Sequence, residues 1–218
     1  MADEQAEPKL TRTERRKIAT HDALLDAVRD LMIEHVGPEF TVTDVTDLAD
    51  VAQGTFYNHF EDRDAAIRAA VQRDVTLHDD IAALIAKDDQ DAIADIAGIF
   101  GVNIHHAMFK ERWPRFALAA YVMRQFPSPH RPGPTHEAIE RGIAEGTIGI
   151  TDVDYGYSMT RHLLVGLAER LTSEEPLDFE FVLRSHLLAC ASLLDFDPDR
   201  VPELVEWLVD SLADQTWD

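Results

Sequence analysis

The chain of 218 residues is short of several things, and each shortage excludes something. It has one cysteine, Cys190, so no disulfide can form within it, a usage that fits a reducing cytoplasm. Cys190 lies in the apolar run 187–194 and reads as a small buried hydrophobe. No run of eighteen apolar residues offers a membrane span. The first ten residues are polar and acidic, with no apolar stretch behind a basic one, which argues against a secretory signal. A disordered tail at 1–10, a cytoplasmic location and no membrane contact are therefore expected. The local signatures of common catalysts are missing too: there is no Gly-rich phosphate loop, no HExxH, no CxxC and no Gly-x-Ser-x-Gly. His162 and Asp154 can be named as an acid–base pair, but nothing in their spacing fixes a geometry.

Positive charge is also scarce. Lys and Arg number 20 against 41 Asp and Glu, a net charge of −21 at pH 7. Phosphate neutralisation dominates DNA affinity, so that sum argues against nucleic acid. The distribution argues the other way. Residues 9–17 carry five cations (Lys9, Arg12, Arg15, Arg16, Lys17) against Glu14 alone, a local net of +4. Residues 18–73 hold four cations and eleven anions, and residues 74–218 eleven and twenty-six. Any DNA contact must be local and steeply salt-dependent. Sixteen Arg against four Lys, with twenty-five Asp, point to a GC-rich or salt-adapted source.

Helical spacing runs through what is there. Ile18, Leu24, Leu25, Val28, Leu31 and Met32 recur at three- and four-residue steps, predicting a helix from about Thr11 to Glu34 that Gly37-Pro38 ends. Thr41 suits the N-cap of a second helix running to about Ala49, with Asp44 as the acid three residues on. A third helix is predicted from about Gln53 to Phe60, and a fourth from Asp62-Arg63-Asp64 to about Ala86. Further helices are expected at 89–110, 111–125, 136–145, 152–171, 179–194 and 199–212, punctuated by Pro and Gly. No segment alternates as a strand. The predicted class is all-α, with a small three-helix head on a larger helical body.

The second and third helices lie close enough to read as a helix-turn-helix, the unit that lays its second helix in the DNA major groove. Phe56 and Phe60 share one face and, with Val45, Leu48 and Val51, are expected to form the head's core. Gln53, Gly54, Thr55, Tyr57, Asn58 and His59 lie on the other side. Gln and Asn bond adenine edges in a bidentate way, Thr offers a methyl to thymine, and Tyr and His suit phosphate oxygens. An amphipathic helix with a solvated face is the plain alternative for such a segment.

With these residues in hand, the segment Ile18 to Ala70 resembles the N-terminal head of TetR-type transcriptional regulators. The resemblance rests on Ile18, on Gly37, on Thr41-Val42-Thr43-Asp44-Val45, on Gly54-Thr55-Phe56-Tyr57-Asn58-His59-Phe60, and on Arg63 opening a long helix. Further on it is architectural, and includes the segment Arg141-Gly142-Ile143-Ala144-Glu145-Gly146. It implies that Thr41 caps near a phosphate and that Thr43 reaches a base or phosphate. It puts Gln53, Thr55 and Asn58 at base-reading positions, Gly54 at the close approach, and Tyr57 and His59 at phosphate clamps. Arg63 stands in for the usual lysine, and the arm cations Arg12, Arg15, Arg16 and Lys17 flank the face. Three residues depart from the pattern: Asp50 where the turn has glycine, Ala52 where a hydroxyl cap is common, and Thr46 for a small alanine.

The resemblance further implies a DNA-binding head at 11–62 and an effector-binding and dimerisation body at 63–218. It implies a homodimer on a palindromic operator, a repressor released by a small, largely apolar effector, a bacterial source, no catalysis and no cofactor. Residues 105–126 are rich in candidates for an effector pocket: His105, Met108, Phe109, Trp113, Phe116 and Tyr121, with Met123 and Phe126, closed by Tyr155, Tyr157 and His162. Met159, Leu163 and Leu167 on one helix and Leu187, Leu188 and Ala191 on the next are expected at the dimer interface. His105 and His106, taken with His78 or His162, are the candidates for a metal, but neighbours on a helix point about 100° apart and chelate poorly, so no metal is expected. Two other functions stay open: a helical adaptor that has lost DNA affinity, favoured by the acidic charge and Asp50, and an all-α enzyme.

Overall fold

A computed structural model describes residues 11–37, 39–85, 91–110, 112–122, 133–172 and 176–213, with backbone alone at 75–85 and 122. These residues form α1 (Arg12–His35), α2 (Val42–Leu48), α3 (Gln53–Tyr57), α4 (Arg63–Ile85), α5 (Ala92–Phe109), α6 (Trp113–Val122), α7 (Pro134–Glu145), α8 (Val153–Leu171), α9 (Phe179–Leu194) and α10 (Val201–Leu212), the last preceded by a 3-10 turn at Pro198–Arg200. Among the described residues there is no strand, and the all-α expectation stands. The expected tail at 1–10, Met123, Phe126 and the side chain of His78 lie outside the described residues.

Local chemistry sets the first boundaries. Thr11 and Glu14 close a capping box on α1: the Thr11 hydroxyl accepts from the Glu14 N–H at 3.2 Å, and Glu14 accepts from the Thr11 N–H at 2.7 Å. The helix does not end on glycine as the sequence suggests. Val36 is its left-handed residue, at φ 48°, an uncommon conformation for a β-branched side chain.

Ile18 is 46% exposed rather than buried, because residues 11–19 of α1 run past the packed core into solvent. Leu48 also leaves the expected head core and is 52% exposed. Val45 and Phe56 are fully buried and Phe60 nearly so, with the Phe56 and Phe60 rings 5.5 Å apart.

In the body, α5 is central and packs against α4, α7, α8, α9 and α10. It is long and apolar enough to cross a membrane, with a mean hydropathy of 1.3, yet 67% of it is buried inside this fold, as in a core helix. Gly101 lets α10 approach: a Cβ there would lie 2.8 Å from the Leu208 side chain. The α6 helix lies between α1 and α8, and α8 packs on α9. One continuous apolar core runs from Leu24 in α1 to Leu212 in α10.

Candidate nucleic-acid interface and cavity

The turn between α2 and α3 is built by its backbone. The Val51 N–H reaches the Thr46 carbonyl at 3.0 Å and the Asp50 N–H reaches Asp47 at 3.3 Å, the paired bonds of a Schellman ending. That motif needs a left-handed residue where Asp50 stands, and Asp50 takes φ 52°. Aspartate tolerates this conformation better than most residues other than glycine. Thr46 is buried but its hydroxyl donates to the Thr43 carbonyl at 3.0 Å, so the departure from alanine leaves no orphan. Ala52 occupies the N-cap of α3 and offers no side-chain cap. The helix ends at Tyr57, shorter than expected, and one further turn is carried by the Phe60 N–H on the Phe56 carbonyl at 2.9 Å.

On this short helix Gln53, Gly54, Tyr57 and Asn58 are exposed, Thr55 and His59 half-buried, and Phe56 points inward. Tyr57 is 55% exposed, although one edge of its ring meets that of buried Phe56 at 5.4 Å. Arg12, Arg15, Arg16 and Lys17 all lie on the exposed first turns of α1. The two groups meet at His59, whose ring is 5.7 Å from that of His21 on α1. Burial, with His21 and Lys17 nearby, holds His59 below its ordinary value.

Two carried-over contacts have other work within the head. The Thr41 hydroxyl donates to Asp44 at 2.7 Å and accepts from its N–H, closing the capping box of α2, while Thr43 beside it is exposed. The Thr41 bonds lower the Asp44 pKa. Arg63 donates to the Phe40 carbonyl at 3.0 Å and pairs with Asp64, so it ties the start of α4 to the loop before α2.

The predicted pocket residues fall into separate groups. Trp113 lines a partly open cavity of about 50 Å³ with Asn103, Ala107, Ala117, Arg161, Leu164, Val165 and Ala168. Phe116 packs its ring at a tilt against Trp113, 5.3 Å between centres, but is fully buried. Tyr121 bonds His162 at 2.9 Å between α6 and α8. His105, Phe109 and Phe179 form an aromatic cluster, where Phe109 is 59% exposed; Met108 beside it is half-buried against the core. Tyr155 is exposed on the surface and closes none of these groups. Asn103 and Arg161, the cavity's polar lining, were missed: Asn103 is a single polar residue in an apolar stretch of α5, and Arg161 sits among the polar residues of α8, so neither stands out in sequence. His105 and His106 diverge as expected, and burial pushes His106 down to about 4. Among the described residues no three metal-ligating side chains gather.

The expected interface residues divide by burial. Leu167, Leu187 and Ala191 are buried in the core of the chain itself. Leu188 and, at three- and four-residue steps back on the same face of α9, Ser185 and Phe181 are exposed; Met159 and Leu163 on α8 are half-buried.

This geometry belongs to a known architecture. The chain matches the regulator RolR bound to resorcinol over 88% of its own length and 95% of that chain, at a TM-score of 0.61 and 19% identity. It matches a protein described as a TetR-family transcriptional regulator from Rhodococcus sp. over 80% and 98%, at 0.61 and 21%. SmeT, the repressor of a multidrug efflux pump of Stenotrophomonas maltophilia, matches over 85% and 97%, at 0.56 and 19%. No protein-family model and no curated protein matches the chain. The fold is that of TetR-type regulators: a helix-turn-helix head on an all-helical bundle.

Proposed function

We propose that this protein is a DNA-binding transcriptional regulator, with residues 11–62 as its reading head and 63–218 as a body that binds a small effector and a second copy of the chain. The observation that carries the reading is the exposed polar face of α3, set beside the four cations on the first turns of α1. Gln53, Asn58 and Thr55 read base edges, Gly54 admits the backbone, and Tyr57, His59 and Thr43 grip phosphates. Two heads of a dimer face the two halves of a palindrome.

The reading includes repression. The free dimer occupies its operator, and a small, largely apolar effector in the body favours a conformer whose heads no longer fit successive grooves. RolR is solved in complex with resorcinol, which gives small-molecule binding a precedent in this fold. The cavity beside Trp113 is where such a ligand enters, and its 50 Å³ means that the walls must part for anything as large as an aromatic ring. No cofactor or catalytic step enters this reading.

The test is a fluorescence-anisotropy titration of duplex DNA from upstream of the protein's own gene, repeated over a range of salt. Affinity that falls steeply with salt, with a log–log slope of about −0.9 per phosphate contacted, is expected. Absence of binding at low salt rejects the regulator and leaves the adaptor reading.

A further inference from the structure

The joint between α1 and the reading helix is made of rings. His21 stands one turn after Lys17 on the same face of α1, and its ring centre lies 5.7 Å from that of His59. Phe60, almost buried, meets both rings, 5.2 Å from His21 and 6.3 Å from His59, and so holds the two imidazoles at the head's edge. Each imidazole is half-buried, within reach of a ligand from solvent. Burial opposes a proton on His59, and His21 and Lys17 on α1 oppose it further. Asp22, 3.7 Å from the His21 Nδ1, favours a proton on His21 instead. From α3 come only side chains uncharged at neutral pH, Gln53, Thr55 and Tyr57. Beyond His59, Glu61 and Asp62 are exposed, and Asp62 accepts from the Ala65 N–H at 2.6 Å in the first turn of α4. Arg63 is turned to Phe40 and Asp64.

Two imidazoles this close, beside a lysine, resist holding a proton each, because every added charge repels the other two. An anion set against them reverses that balance. A protonated imidazole also donates from both ring nitrogens, where a neutral one donates from a single nitrogen. DNA drawn to Arg12, Arg15, Arg16 and Lys17 runs its backbone past the next turn of α1, where His21 faces His59. We propose that His21 and His59 form a proton-taking clamp for one DNA backbone phosphate, so that binding takes up a proton and tightens as pH falls. The inference rests on the regulator reading. It adds His21 to the contact face and makes occupancy of the DNA depend on pH. Free His59 loses its proton below the ordinary histidine value of 6.5, whereas the phosphate holds the proton on to a higher pH. Between those two points binding takes up the proton, and affinity falls as pH rises. Below the lower point both states are protonated, above the upper neither is, and the dependence vanishes at both ends.

The experiment needs no effector. A duplex is selected from a random pool with the wild-type full-length protein, and its affinity is read by fluorescence anisotropy across pH at constant ionic strength. The wild type is expected to weaken by about fivefold per pH unit between about pH 6 and 7.5, with about tenfold as the ceiling for one whole proton. Other histidines gain charge over the same range, so variants read the pair's own share. His21→Gln with His59→Gln is expected to change by less than about twofold per unit, and His59→Gln alone to fall in between. His35→Gln, at the far end of α1 with its ring 6.5 Å from Phe40, is expected to keep the wild-type dependence. Thermal melts confirm that the variants fold. Should the double variant fail to, calorimetry of the wild type with the same duplex in two buffers of unequal ionisation enthalpy counts the protons directly, and uptake of about one proton is expected. A wild-type affinity that is flat across pH, an unchanged dependence in the double variant, or no proton uptake overturns the proposal. A wild type that binds no duplex at any pH overturns the regulator reading, and this inference with it.

Discussion

In the proposed reading single side chains carry different jobs on α3, and exchange of one for alanine separates them. Tyr57 is exposed and suited to a phosphate, so Tyr57→Ala is expected to weaken binding to all duplexes alike by about tenfold. Gln53→Ala is expected to change which sequence is preferred, by about 1–3 kcal/mol at one base pair. Competition binding against a set of single-base variants reads both. A uniform loss in Gln53→Ala contradicts the assignment. His106 gives a prediction about stability. The fold holds it neutral down to about 4, whereas the unfolded chain protonates near 6.5. As pH falls between these values the unfolded state takes up the proton first, and the fold loses roughly 3 kcal/mol; above that window His106 contributes nothing. Urea melts at pH 7 and 4.5 should show this loss in the wild type and a smaller one in His106→Gln. Equal losses contradict it.

At the scale of the element, α3 is weakly made. It is five residues long, starts on Ala52 without a side-chain cap, and follows Asp50 in a left-handed conformation. Ala52→Ser is expected to add about 1 kcal/mol by capping, raising the melting temperature by about 2–4 °C. Asp50→Gly should relieve strain at an exposed position and remove an anion beside the reading face. An unchanged melting temperature in both variants counts against this account of the turn. The sequence exposed much of this element. The 3.6-residue rhythm of Val45, Phe56 and Phe60 marks the core side, and Thr41 with Asp44 marks a cap, because both are local. The Thr11–Glu14 box carries the same T-x-x-E signal. Ile18 and Leu48 kept the rhythm but lie outside, since periodicity reports a face and not what covers it. The left-handed Val36 had no signal at all, because Gly37 beside it was the better candidate.

In the whole molecule, long-range contacts decide what periodicity cannot. Arg115 on the Ile33 and Glu34 carbonyls joins residues far apart in sequence, and no local pattern announces it. Leu187 and Leu188 look alike in sequence, yet one is buried in the core of the chain and the other 45% exposed. The proposed dimer therefore rests on the exposed pair Phe181 and Leu188. Leu188→Glu with Phe181→Glu is expected to give monomers in sedimentation velocity at unchanged helicity, and a dimer that persists places the interface elsewhere. The acid-rich surface and the cationic first turns of α1 also belong to this scale. In the proposed reading they confine the attraction for DNA to the head and make it salt-dependent. The most direct measurement is selection from random duplexes at low salt. A DNA-reading dimer enriches an inverted repeat whose two half-sites are about one helical turn apart, and Tyr57→Ala enriches the same repeat at about tenfold weaker affinity. A pool that stays unenriched after repeated rounds contradicts the central claim.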